Sequence, residues 1–121
     1  KLAKKLKLKF IDIDRIIEIK EKSTIKEIFE KKNENYFRKI EKKITLEELK
    51  KNNLVVALGG GAFINMSIRR KIKDSCISFW LDLKVEDVII RSKNLRKRPL
   101  LNKSNLKDTY NNIYEKRKKN Y

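Results

Sequence analysis

Hydrophobic and polar positions along the chain follow two periods, which predict short strands alternating with helices. Apolar residues at helical spacing predict helices at residues 1–6, 15–22, 25–31, 34–51, 66–73, 85–93 and 105–118. Short stretches rich in apolar residues predict strands at residues 9–13, 54–58 and 76–81. Thr24 and Glu27 have the spacing of a capping box at the start of one of these helices. Because strands alternate with helices, the pattern predicts an α/β fold with a parallel sheet covered on both faces.

A run of three glycines, Gly59, Gly60 and Gly61, directly follows the predicted strand at residues 54–58, and the chain contains no other glycine. Residues without a Cβ let the backbone turn tightly and approach a ligand closely. In open α/β sheets, ligands bind at the carboxyl ends of the strands. The run therefore marks a candidate binding site, although an ordinary tight turn between a strand and a helix is the alternative.

Composition narrows the possible chemistry. At 121 residues, the chain has the size of one domain, and it contains no histidine. Histidine general bases, Ser-His triads and histidine-ligated metals are therefore excluded. No apolar stretch approaches the length of a membrane span, so we expect no membrane partner. The single cysteine, Cys76, is predicted to be a buried, reduced thiol in a cytoplasmic protein.

The net charge of +17 by itself favours a polyanionic partner. The lysines, however, are interleaved with Glu, Ile and Asn throughout, and the aromatic residues do not alternate with basic ones as on a base-stacking surface. We therefore expect no specific nucleic-acid partner. A basic nucleic-acid-binding protein, or an inactive remnant of an enzyme, is the alternative outside active enzymes.

Two carboxylates, Asp12 and Asp14, stand at the end of the first predicted strand. Alternation along a strand would point both side chains to the same side, which suits a metal and hydroxyl site. The alternative is that one of them only caps the following helix.

Two arginines are further candidates. Arg38 and Glu41 lie three residues apart on a predicted helix, where the glutamate would orient the arginine guanidinium for binding a carboxylate. The alternative is that the two side chains form a solvated surface pair. Arg98 lies beside the only proline, Pro99, within an aperiodic segment at about residues 95–105. A mobile arginine of this kind supplies positive charge in many phosphoryl-transfer enzymes, and a plain basic loop is the alternative.

Taken in order, these motifs resemble those of shikimate kinase, over essentially the whole of residues 1–121. The matching segments are residues 10–14, 28–29, 34–41, 59–62, 80–82 and 98–101. The resemblance implies transfer of the ATP γ-phosphate to the 3-hydroxyl of shikimate, giving shikimate 3-phosphate and ADP on the route to chorismate and aromatic amino acids. It also implies a three-layer α/β/α parallel sheet of the P-loop nucleoside monophosphate kinase type. A related P-loop kinase acting on gluconate is the alternative within enzymes.

The resemblance further implies roles at the substrate. Asp14 would bind shikimate hydroxyls and is the candidate base, while Arg38 and Arg117 would bind the carboxylate and Glu41 would orient Arg38. Residues expected to line or approach the substrate are Phe29, Phe37, Gly59, Gly60 and Gly61.

At the nucleotide, the resemblance implies that Arg91 stacks against adenine and that Arg98, in a lid at about residues 95–105, contacts phosphates and substrate. Asp12 would lie near Mg²⁺ and act through its water. The expected ligands are thus shikimate, ATP and Mg²⁺, and the expected state is a cytoplasmic monomer.

The chain departs from the family pattern in three places. No Gly-x-x-x-x-Gly-Lys-[Ser/Thr] loop is present, so we expect that the first strand and this phosphate-binding loop precede Lys1 and that the chain as given does not bind ATP productively. Asn33 replaces the usual glycine, and asparagine is the next best residue in a left-handed conformation. Lys118 and Lys119 replace an Ala-Pro pair after Arg117.

Overall fold

The structure is a computed structural model that describes residues 1–84, 86–88 and 106–121. It divides into two compact units, Lys1–Ser78 and Phe79–Tyr121, each described by itself. The predicted lid at residues 95–105 and most of the helix predicted at residues 85–93 lie outside the described residues.

The first unit contains a parallel pair of strands, as the alternating pattern predicted. Strand β1 spans Lys9–Asp12 and strand β2 spans Leu54–Ala57. They pair in parallel from Lys9 opposite Leu54 to Asp12 opposite Ala57. Parallel strands need a crossover connection, which here consists of three helices. The register places the ends of both strands, and the segments that follow them, at the same edge of the sheet.

The helices of this unit agree closely with the predicted ones. Their bounds are Leu2–Leu6 (α1), Ile13–Glu21 (α2), Ile25–Lys32 (α3), Glu34–Glu48 (α4) and Met66–Ser75 (α5), with a short 3₁₀ turn at Ala62–Ile64. The predicted capping box is confirmed, because Thr24 Oγ1 accepts from the Glu27 amide at 3.3 Å and Glu27 Oε2 accepts from the Thr24 amide at 2.8 Å. Sequence signals at helix ends thus fix where these helices begin.

Two apolar clusters hold the crossover helices and the glycine loop in place. The larger one packs the inner face of β1 against helices α2, α3 and α4, and consists of Ile11, Ile13, Ile17, Ile28, Phe37 and Ile44. Each fully buried side chain of this size contributes about 1.5–3 kcal/mol. The smaller one, Ala62, Ile68 and Ile72, joins the segment after the glycines to helix α5. Apolar packing therefore holds helix α4 and the glycine loop in position.

The prediction of a strand at residues 76–81 is wrong. The structure assigns no helix or strand there, and Ile77 and Leu81 are 87% and 82% exposed. A strand needs a hydrogen-bonding neighbour, and within the described residues the only ladder joins β1 to β2. The prediction that Cys76 is buried is also wrong, since this free thiol is exposed. It was predicted to be buried as part of the same strand.

The second unit contains helix α6, Leu106–Lys118, which confirms the helix predicted at residues 105–118. Trp80 stacks against Tyr121 and Tyr114, with ring centroids 5.4 and 6.4 Å apart. The hydroxyl of Tyr114 donates to Asp82 Oδ1 at 3.3 Å. Among the described residues, no helix is both long and apolar enough to cross a membrane.

Candidate active site

An ion pair between Arg38 and Glu41 forms the centre of the candidate site. Both side chains come from helix α4, where residues three apart share a face. Arg38 Nη1 donates to Glu41 Oε2 at 2.6 Å, and the Glu41 side chain is only 3% exposed. A buried carboxylate is costly unless it is paired, and this short contact gives Glu41 a cationic partner inside the unit. The structure therefore contradicts the alternative of a solvated surface pair.

A second carboxylate, Glu34, contacts the same guanidinium from one helical turn earlier. Its Oε1 accepts from Arg38 Nε at 3.2 Å and from Nη2 at 3.1 Å. Burial lowers the pKa of Arg38, but the hydrogen bonds and charges of Glu41 and Glu34 outweigh this effect, so the pKa rises above the usual value for arginine. Arg38 is therefore a permanent cation held in a defined orientation.

The glycine loop fits closely around these side chains. A Cβ at Gly61 would overlap Arg38 Nη1 and lie 2.6 Å from Nη2, which is closer than van der Waals contact permits. A Cβ at Gly59 would lie 3.1 Å from Asp14 Oδ1 and 3.2 Å from Glu41 Oε1. No glycine of the described residues has positive φ, so these glycines are needed for space and not for a left-handed backbone. The loop, Asp14 and the Arg38–Glu41 pair thus meet at one point.

The two aspartates do not lie on one strand, contrary to the sequence expectation. Strand β1 ends at Asp12, and Asp14 lies in the first turn of α2. Asp12 caps that helix, because its Oδ1 accepts from the amides of Asp14 at 3.0 Å and Arg15 at 3.4 Å. Asp14 Oδ1 is buried next to Gly59. The cap orients the first turn of α2, and this turn carries Asp14 to the glycine loop.

Phe29 and Phe37, the two aromatics predicted to line the pocket, pack against each other. Their ring centroids lie 4.9 Å apart with an interplanar angle of 42°. Arg38 Cζ lies 5.2 Å from the centroid of the Phe37 ring, which is within cation–π range. Phe37 is buried in the core, so it links the position of Arg38 to the packing of α4.

The remaining predicted residues are distributed as follows. Gly60 stands between the two glycines already described, and Arg117 lies in helix α6 of the second unit. Arg91 and Arg98 lie outside the described residues. Sequence reasoning assigned no role to Glu34, although its spacing of four residues before Arg38 was a usable signal.

This arrangement suits a small carboxylate that carries hydroxyl groups. A guanidinium has five N–H donors, and three hydrogen bonds to Glu34 and Glu41 engage Arg38, which leaves donors for an incoming carboxylate. Asp14 supplies an acceptor for a hydroxyl next to the glycine backbone. Within the residues that the structure describes, no group of three or more metal-ligating side chains occurs.

Solved structures with the same fold define the class of this protein. A shikimate kinase from Acinetobacter baumannii in complex with shikimate matches with a TM-score of 0.93 and 34% identity, over 98% of this chain and 66% of that one. A shikimate kinase from Bacteroides thetaiotaomicron matches with a TM-score of 0.90 and 28% identity, over 98% and 70% of the two chains. The fold is therefore the parallel α/β fold of the P-loop kinases, as predicted.

Sequence comparison gives the particular family. The sequence model of the shikimate kinase family matches residues 1–121. A shikimate kinase from Persephonella marina is 42% identical over 120 residues, which is 99% of this chain and 72% of the relative. One from Sulfurihydrogenibium is 44% identical over 100 residues, covering 83% of this chain and 60% of the relative. The chain belongs to the shikimate kinase family, whose members use ATP, and it spans roughly three-fifths to three-quarters of the length of these two relatives.

Proposed function

We propose that this chain carries the shikimate-binding site of a kinase that transfers the ATP γ-phosphate to the 3-hydroxyl of shikimate. The observation that carries the proposal is the Arg38–Glu41 pair, which lies against Gly61 with Asp14 beside Gly59. A fixed cation, a neighbouring carboxylate and small backbone residues together complement a hydroxylated carboxylate. Membership of the family supplies the reaction.

In the proposed mechanism, Arg38 binds the shikimate carboxylate and thereby sets which hydroxyl faces Asp14. Asp14 accepts the hydrogen bond, and then the proton, of the 3-hydroxyl. The 3-oxygen forms a bond to the γ-phosphorus while the bond from that phosphorus to the β,γ-bridging oxygen breaks, which gives ADP. Phosphoryl transfer depends mainly on positioning and charge neutralisation, so it does not require a histidine.

Further residues extend the proposal to the nucleotide and to the second side of the substrate. Arg117 would add a second fork on the carboxylate, Arg98 would bring positive charge to the phosphates, and Arg91 would stack on adenine. Mg²⁺ keeps several waters and is bound largely by substrate phosphates, so Asp12 would contact it through one of those waters. Both helix-capping bonds of Asp12 use Oδ1, which is compatible with a water-mediated role for Oδ2.

The remaining properties of the proposal concern context. We propose that the kinase carrying this site is a monomer that acts in the cytoplasm and binds shikimate and ATP, with no specific nucleic-acid partner. The basic surface makes this last point testable, because binding through phosphate contacts would weaken steeply with added salt. Salt-sensitive binding to DNA or RNA without any affinity for shikimate would contradict the proposal.

Ligand titration tests the substrate assignment. Shikimate and gluconate should each be titrated into the chain by calorimetry, since both are hydroxylated carboxylates. The proposal expects saturable heat with shikimate and much weaker binding of gluconate. Equal or stronger binding of gluconate would move the assignment to a different small-molecule kinase, and binding of neither ligand would contradict it.

A further inference from the structure

We infer that Glu34 is a positioning residue for substrate binding, which fixes the guanidinium of Arg38 from the side opposite Glu41. The inference rests on the proposed function, since it concerns how Arg38 is prepared for a carboxylate. Glu34 is the first residue of the segment at residues 34–41 that matches the family, but the resemblance assigned a role only to Phe37, Arg38 and Glu41 within it. The geometry of the three side chains supports the role of Glu34.

The two glutamates hold different parts of the guanidinium. Glu34 Oε1 engages Arg38 Nε at 3.2 Å and Nη2 at 3.1 Å, while Glu41 Oε2 engages Nη1 at 2.6 Å. A single contact would leave the planar group free to rotate about that contact. Contacts at both sides fix its plane, and one N–H on each terminal nitrogen is left for a ligand.

The Glu34–Arg38 contact differs from the other pairs of its type in this unit. The pairs Lys26–Glu30 and Lys31–Glu27 have the same spacing of four residues, but their closest atoms are 3.7 and 3.8 Å apart. These lysines are about two-thirds exposed, whereas the Arg38 side chain is 28% exposed. Exposed pairs of this kind hold their side chains weakly. Glu34 instead binds the half-buried guanidinium of Arg38, whose Nη1 is already bound by Glu41.

Fixing Arg38 before the ligand arrives should improve affinity. A long side chain loses rotamer freedom when it binds, and a group that is already ordered loses less. The negative charge of Glu34 opposes this by repelling an incoming carboxylate. Its side chain is 50% exposed, so water and salt screen that repulsion. We therefore expect the positioning effect to be the larger of the two.

The test compares three variants in shikimate titrations: Glu34→Ala, Glu34→Gln and Glu30→Ala. Glu34→Ala should weaken shikimate affinity by about fivefold, the size expected for one lost hydrogen-bonded contact. Glu34→Gln keeps an acceptor for Nε and should stay within about twofold of the wild type. Glu30→Ala removes an equally spaced exposed partner and is the matched control, and thermal melts should show no difference between it and Glu34→Ala.

The outcomes separate this inference from the proposed function. If the wild type binds shikimate and Glu34→Ala binds as well as Glu30→Ala, the positioning role is wrong while the function stands. Tighter binding by Glu34→Ala would show that Glu34 competes with the substrate, which also overturns the inference. Failure of the wild type to bind shikimate would overturn the proposed function and this role with it.

Discussion

Arg38 Nη1 lies 2.6 Å from Glu41 Oε2, and this contact connects the interior of the first unit to the candidate substrate site. Glu41 is almost fully buried, whereas the arginine reaches the surface. The carboxylate can remain charged because the arginine pairs with it, and the arginine keeps its orientation because the carboxylate cannot move. In the proposed function, one interaction therefore serves both stability and substrate recognition.

Replacing Arg38 should affect both properties. Arg38→Ala deprives the ligand of a charged hydrogen-bond partner, so shikimate affinity should fall by roughly 10- to 100-fold. Unfolding free energy should also fall, by about 2–4 kcal/mol, because a buried carboxylate loses its ion pair. Calorimetry and urea denaturation measure the two effects. Arg70→Ala removes an exposed arginine from helix α5 and is the control for charge, and an Arg38→Ala chain that behaves like it would contradict the assignment.

Adding one methyl group at Gly61 should displace Arg38 without disturbing the backbone. The φ and ψ of Gly61 are −99° and −18°, which alanine adopts readily, so the backbone adds no strain, and the free energy of unfolding should fall only as far as the displaced Arg38 loses its pair with Glu41, by no more than the loss expected for Arg38→Ala. The new Cβ would collide with the guanidinium, and shikimate affinity should fall by about tenfold. A double-mutant cycle checks the cause: Gly61→Ala should have little further effect in an Arg38→Ala background. Additive losses would mean that the glycine contributes independently of Arg38.

Asn33, between helices α3 and α4, should be improved by glycine. Its φ of 74° and ψ of 170° fall in a region that only glycine occupies easily. Its side chain also caps α4 by accepting from the Tyr36 amide at 3.1 Å, but glycine replaces an asparagine cap at a cost of only a few tenths of a kcal/mol. Asn33→Gly should therefore raise unfolding free energy by about 1 kcal/mol, and Asn33→Ala should lower it. A less stable glycine variant would show that the cap outweighs the strain.

The charged contacts among Glu21, Lys32 and Tyr36 should make stability depend on pH at both ends of the range. Lys32 Nζ and the Tyr36 hydroxyl donate to Glu21 Oε2 at 3.1 and 3.0 Å. The hydrogen bond from Lys32, with that from Tyr36, lowers the pKa of Glu21 below its usual 4.5, and hydrogen bonds to Tyr36 and Glu21 raise the pKa of Lys32 above 10.5. These contacts should therefore contribute fully to the free energy of unfolding between pH 4.5 and pH 10.5, the usual pKa values of the two groups.

This contribution should be lost as the pH falls through the lowered pKa of Glu21 or rises through the raised pKa of Lys32. Thermal melts of the wild type and Glu21→Gln at a series of acid pH values check the loss of stability at low pH. The wild type should be the more stable protein at neutral pH, and the difference should vanish in strong acid. Glu30→Gln controls for loss of an exposed carboxylate. A difference that persists unchanged to strong acid would contradict this assignment.

The sequence was sufficient for elements whose signals are local. The Thr24–Glu27 capping box, the spacing of Phe37 and Ile44 on α4, and the apolar run before the glycines each depend on residues within one element. The strand predicted at residues 76–81 failed because a strand depends on a neighbour that its own sequence does not specify. Asp12 and Asp14 were placed on one strand because apolar alternation continues through Ile13, whose side chain instead enters the core from the first turn of α2.

For the site, the sequence indicated candidate residues but not what they contact. The resemblance to a known family predicted roles for Arg38, Glu41 and Asp14. It did not show that Gly61 is required because Arg38 fills the space where a side chain would lie. Nor did it show that Glu34 completes the support of the guanidinium. Both facts depend on where helix α4 packs against the glycine loop, which only the three-dimensional arrangement reveals.

The most direct test of the central claim is a titration of wild-type and Arg38→Ala chains with shikimate and with its methyl ester, which lacks the carboxylate charge. If Arg38 binds the carboxylate, the wild type should prefer shikimate strongly over the ester. The Arg38→Ala chain should bind shikimate weakly and discriminate little between the two. A wild-type chain that binds both ligands equally, or an Arg38→Ala chain that keeps the full preference for shikimate, would contradict the account.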